Sequence, residues 1–119
     1  MTGLTTHILD LTHGKPAAHV TVELYFLETP NGGRRFIRKA FTNSDGRIDA
    51  PLLASDEMEI GTYELVFNIG DYFRETAIPL TAPPFLDQVP IRFGISDLKA
   101  HYHIPLLVSP YGYQTYRGS

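Results

Sequence analysis

The chain has 119 residues, 43% of them hydrophobic and 19% charged, with 10 basic against 13 acidic side chains and no cysteine. One domain of this size can fill its own core, its few basic residues make no electrostatic footprint for nucleic acid, and no disulfide, thiolate nucleophile or cysteine zinc site is available. Charge this far below the roughly 25% of an ordinary soluble domain leaves apolar surface to spare, so self-association is expected.

The opening stretch, MTGLTTHILDLTHG, has no basic start and carries Asp10 within its short apolar run, so no secretory leader is expected. No apolar stretch approaches the ~20 residues of a membrane span, and the cytoplasm is the expected compartment. Thr5 to Leu9 reads as a first strand. From His19 to Leu27 the residues Val20, Val22, Leu24 and Phe26 fall on one side, opposite Thr21, Glu23 and Tyr25, the alternation of a half-buried strand. The turn cluster Thr29-Pro30-Asn31-Gly32-Gly33 and a returning strand, Arg34 to Thr42, complete a hairpin. Asn43-Ser44-Asp45-Gly46 is a second strong turn, with Arg47 just beyond it.

Tyr63 to Ile69 reads as a further strand between Gly61 and Gly70. Asp71 to Thr76 is the one stretch expected to be helical, with Asp71 at its start and Pro79 beyond its end. Gln88 to Ile95 and Tyr102 to Val108 are the last long strands. Pro90 and Pro105 lack an amide hydrogen, so each belongs at an edge, a strand start or a bulge. About seven or eight short strands, turning every ten residues or so, predict an all-β antiparallel sandwich or barrel spanning residues 1–119 as one domain.

Five histidines are the chain's only groups that titrate near neutrality without perturbation. In His101-Tyr102-His103 the two imidazoles share a face, opposite in parity to Ile104, Leu106 and Val108, so they point away from the core. Three readings are open: surface or partner-packed histidines, a metal site completed by His7, or acid–base chemistry. No acidic residue stands at a recognisable ligand spacing, and no metal is expected. The C-terminal run YGYQTYRGS keeps three tyrosines and an arginine to its end, which suits a segment that docks rather than one that frays.

Three blocks in order carry a resemblance: Leu4-Thr5-Thr6-His7-Ile8-Leu9-Asp10 with Gly14-Lys15-Pro16-Ala17, then Asp45-Gly46-Arg47, then HYHIPLLVSPYGYQTYRGS. Together they resemble the transthyretin-related family, and within it the 5-hydroxyisourate hydrolases, whose closing YRGS separates them from the hormone carriers. The resemblance implies a two-sheet β-sandwich with one short helix, assembled as a dimer of dimers. Its sites lie at the dimer–dimer interface, where outward histidines become the wall of a channel. It implies hydrolysis of 5-hydroxyisourate to 2-oxo-4-hydroxy-4-carboxy-5-ureidoimidazoline without a cofactor. His7 and His103 are expected to handle the water and its proton, in an order the residues leave open. Arg47 is expected to hold the substrate and the charge growing on its carbonyl. Tyr116 is expected to touch the substrate, with Arg117, Gly118 and Ser119 closing the pocket, and His101 is expected at the margin of the site. A carrier of the same family needs an apolar channel, and a plain structural sandwich would not need its last three residues.

Overall fold

In the computed structural model, which describes residues 3–119, the strands in chain order are β1 (Gly3–Asp10), β2 (Lys15–Pro16), β3 (Thr21–Leu27), β4 (Arg34–Phe41), β5 (Gly61–Asn68), β6 (Gln88–Ile95), β7 (His101–Ser109) and β8 (Gly112–Thr115). They form two four-stranded sheets, in the orders β2-β1-β7-β8 and β4-β3-β5-β6. A short helix, α1 (Ile69–Arg74), follows β5 directly. Alternation decides which residues meet between the sheets. Leu4 and Ile8 of β1 and Leu106 and Val108 of β7 pack against Val22 and Leu24 of β3 and Leu65 and Phe67 of β5, all fully buried. The sandwich read from the sequence is therefore the fold.

Four details differ from the sequence reading. Pro105, expected at an edge, a strand start or a bulge, lies in the middle of β7, an interior strand, in unbroken register opposite His7. The β1–β7 ladder is parallel, whereas the other ladders are antiparallel. Side-chain parity is the same for either direction, so periodicity carries no sign of it. The helix begins two residues earlier than expected, at Ile69. Burial explains the shift: Ile69 and Phe73, one turn apart, are both sealed in the core. Gly70 lies so close to Asp87 that an added Cβ would fall 2.2 Å from its carboxylate oxygen. β2 is only two residues long, too short for any period to be read.

β5 is buried on both faces, because Glu64 on its outer side is clasped by Arg34 and Arg92 from β4 and β6. Pro90 lies on β6, an edge strand, where its missing amide costs no ladder bond to a further neighbour.

Asp10, at the end of β1, is buried, and it gathers four donors. Its carboxylate accepts from the amides of Thr12 and His13 at 2.9 and 3.0 Å, from His13 Nδ1 at 2.6 Å and from the Tyr72 hydroxyl at 2.7 Å. Burial pushes this carboxyl's pKa up, but the hydrogen bonds from Tyr72 and His13 outweigh it and hold it below the usual range. Asp10 thus ties β1 to α1. Asp10→Ala is expected to cost about 3 kcal/mol, because several buried donors lose a charged acceptor at once; the shift in urea midpoint at unchanged slope measures it.

Candidate active site

The parallel ladder sets Gly3 beside His101, Thr5 beside His103 and His7 beside Pro105. Residues of one parity on both strands face outward, so Thr5, His7, His101 and His103 share the outer surface of one sheet, each half-buried. The two imidazoles of β7 stack with centroids 6.3 Å apart and planes 13° from parallel. Between them stands the Thr5 hydroxyl, 3.1 Å from His101 Nε2 and 2.8 Å from His103 Nδ1.

Arg47 reaches this surface from a turn. The Asn43 side-chain oxygen accepts from the amides of Asp45 and Arg47, and the Asn43 amide donates to the Arg47 carbonyl at 2.7 Å. Gly46 has φ +74, a left-handed conformation, and a Cβ there would sit 2.4 Å from the Ile8 carbonyl oxygen. The turn can therefore press against β1, where a bridge pairs Arg47 with His7. Among the described residues, the Arg47 side chain makes no ion pair and no hydrogen bond, so its donors are free for a ligand.

The tail completes the site. β8 pairs with β7 as Leu106 to Thr115 and Ser109 to Gly112, and the same register carried onward sets Pro105 opposite Tyr116 and His103 opposite Gly118. The second pairing is present, with the Gly118 amide donating to the His103 carbonyl at 2.8 Å. Pro105 has no amide to offer Tyr116, which accounts for the gap between the two ladder segments. A Cβ on Gly118 would lie 2.6 Å from His103 Cδ2, so only glycine lets the tail lie flat against that ring.

The resulting open cavity, about 340 Å³, is lined by Thr5, Arg47, His101, His103 and Ser119 among others. His7 stands next to it through its bridge to Arg47. Tyr116 and Arg117 border a neighbouring cleft of about 300 Å³ between β6 and β8. Alternation turns Arg117 to the face opposite Gly118, where its guanidinium lies 4.3 Å above the Tyr102 ring. Within one chain the structure thus gathers His7, Arg47, His103, Gly118 and Ser119, and leaves Tyr116 and Arg117 at the neighbouring cleft. A larger hollow of about 690 Å³ beside α1 has Lys15 and His19 mixed with Asp71 and Glu75, and no chemistry converges in it. Among the described residues, no three histidine or carboxylate side chains are disposed to hold a metal ion.

The electrostatics follow from these placements. Burial, then the Arg47 charge, lowers the pKa of His7, against a smaller opposing pull from Asp45. Burial, then Arg47, His101 and His7, lowers that of His103. Both rings are therefore neutral at pH 7 beside a permanent cation, a combination suited to taking a proton and holding an oxyanion. Thr5 is the functional neighbour that sequence reasoning missed. Its parity with His7 was visible, but its place opposite His103 depends on the parallel pairing.

A family model described as HIUase/Transthyretin family matches residues 4–118. The 5-hydroxyisourate hydrolase 2 of Rhizobium meliloti is 55% identical, over 98% of this chain and 95% of that protein. Among solved structures, an (S)-allantoin synthase superposes with a TM-score of 0.91 at 41% identity; the match covers 99% of this chain, which spans only 44% of that longer one. Transthyretin from Sparus aurata superposes with a TM-score of 0.84 at 25% identity, over 99% of this chain and 97% of that one. With a sandwich of this topology and a match from its first strand to its tail, the chain belongs to the HIUase/Transthyretin family.

Proposed function

We propose that this chain is a hydrolase that opens the ring amide of 5-hydroxyisourate, giving 2-oxo-4-hydroxy-4-carboxy-5-ureidoimidazoline. The observation that carries the reading is the meeting of two histidines with an unpaired arginine beneath a tail fitted to one of them. Water must lose a proton as it attacks the ring carbonyl, and the carbonyl oxygen must carry negative charge. Of His7 and His103, one serves the first need as base and the other orients or donates a hydrogen bond, and a positioned base is worth about 10²–10⁴ in rate. Arg47 serves the second with a forked donor that carries its charge at any working pH.

Ser119 and Gly118 close the cavity over His103, and Tyr116 contacts the substrate's far edge. Arg117 supports the tail by stacking on Tyr102 and takes part in binding through that position. Water is the second reactant, so the reaction calls for no cofactor. A carrier function is less well supported: the cavity is cationic rather than apolar, and identity to the transthyretin is 25% against 55% to the hydrolase.

A homotetramer built as a dimer of dimers, with the sites at the dimer–dimer interface, completes the proposal. The free edges of β6 and β8 flank one cleft and offer a shared surface for pairing. The face bearing the histidines also carries Leu9 and Leu107, half-buried, and a second pair stacked there would cover them. Sedimentation equilibrium then reads four chains. A reducing compartment such as the cytoplasm is the proposed location, which a chain without cysteine tolerates.

The test is an absorbance assay with 5-hydroxyisourate generated in place by urate oxidase. Wild-type protein is expected to accelerate decay far above the unaided rate. His103→Ala, and a chain ending at Thr115, are expected to fall near background with the β-sheet circular dichroism retained. No acceleration by folded wild-type protein overturns the assignment.

A further inference from the structure

The Thr5 hydroxyl has one proton to give, yet it stands within hydrogen-bond distance of a nitrogen on each of two imidazoles. It can donate to only one of them, and the other must donate to it. The tautomers of His101 and His103 are therefore complementary. If Thr5 donates to His103 Nδ1, the neutral His103 carries its proton on Nε2, and His101 gives its own Nε2–H to Thr5. If Thr5 donates to His101 instead, both protons sit on the opposite nitrogens.

A second observation chooses between them. Among the described residues, Nδ1 of His101 is buried and has no hydrogen-bond partner. A buried N–H without an acceptor is the costlier orphan, since a bare ring nitrogen leaves no donor stranded. His101 therefore keeps its proton on Nε2 and donates it to Thr5.

We propose that Thr5 and His101 are positioning residues that hold His103 in its Nε2–H tautomer, making it a hydrogen-bond donor to the substrate carbonyl and leaving His7 as the base. The assignment rests on the hydrolase reading above. His7 takes the water proton as the oxygen–carbon bond forms. The negative charge moves to the carbonyl oxygen, held by His103 Nε2–H and Arg47. When the carbon–nitrogen bond breaks, the proton on His7 passes to the departing ring nitrogen, and the new carboxyl group ionises to solvent. His103 gives up no proton in the cycle, which is what a neutral imidazole donor requires.

The experiment pairs spectroscopy with kinetics on the full chain. Two-bond ¹⁵N–¹H correlation spectra at pH 8 report the tautomer of His103, assigned by its loss in His103→Ala, whether or not the protein is active. The expected pattern in wild type is a proton on Nε2. Thr5→Val, which keeps the branched shape and removes the hydroxyl, is expected to disturb that pattern and to lower kcat by about 10–100-fold with little change in KM. Thr5→Ser is expected to restore both. A proton found on Nδ1 of His103 in wild type, or a Thr5→Val enzyme within twofold of wild-type kcat, overturns the proposal. A wild-type protein that shows the Nε2 tautomer but never accelerates the reaction points instead to failure of the hydrolase reading.

Discussion

His7→Ala is expected to cost about 10²–10⁴ in kcat, the range for loss of a positioned base. The side chain is half-buried on the outer face of β1, directed away from the core by strand alternation. The folded state should survive the change, so thermal unfolding within a few degrees of wild type separates chemistry from stability. The wild-type pH profile supplies the companion test. The His7 pKa lies below the usual 6.5 because burial and Arg47 both disfavour the charged ring. A base works only when unprotonated, so the acid limb of kcat/KM should be centred below 6.5. A profile whose acid limb is centred above 6.5 contradicts this placement of the base.

Arg47→Gln is expected to lower kcat by about 10²–10³, the loss that follows removal of one donor to a developing oxyanion. Its effect should reach beyond charge stabilisation. Arg47 is a cause of the lowered pKa in both His7 and His103, so its removal lets both rings move back toward the ordinary histidine value. The acid limb of kcat/KM should then shift upward, although burial still holds it below an exposed histidine's. Arg47→Lys keeps the positive charge but not the fork. It should recover the pH profile while recovering only part of the rate. If glutamine at this position leaves both rate and profile unchanged, Arg47 has no part in the reaction.

Much of this arrangement was readable in the residues. The alternation of Val20, Val22, Leu24 and Phe26 placed β3, and the parity of His101 and His103 against Ile104, Leu106 and Val108 placed the histidines outside the core. Burial of one face leaves a period-two signature wherever a strand is long enough to repeat. What remained hidden depends on long-range pairing. Thr5 and His103 are neighbours only because β1 and β7 run side by side in parallel, and neither strand's own pattern reveals its partner. The same holds for Gly118, whose need for a bare backbone is visible only once the His103 ring lies against it. Arg117 was grouped with its neighbours in the tail, but alternation along an extended chain sends adjacent side chains to opposite faces. The helix boundary moved because core contacts at Ile69 and Phe73 outweighed the local cue of Asp71 at a helix start.

The parallel ladder also imposes an order in time. The strand that bears His7 leaves a ribosome long before the strand that bears His103, with β2 to β6 and the helix in order between them. Until β7 emerges, β1 lacks the neighbour that pairs with it along its whole length, and a nascent chain must wait with that strand's edge unpaired. Joining elements so distant along the chain makes for slow folding, on the millisecond-to-second scale typical of all-β domains with non-local pairing. A prematurely ended product would therefore be inert rather than partly active, since the cavity has walls only after both strands and the tail have met.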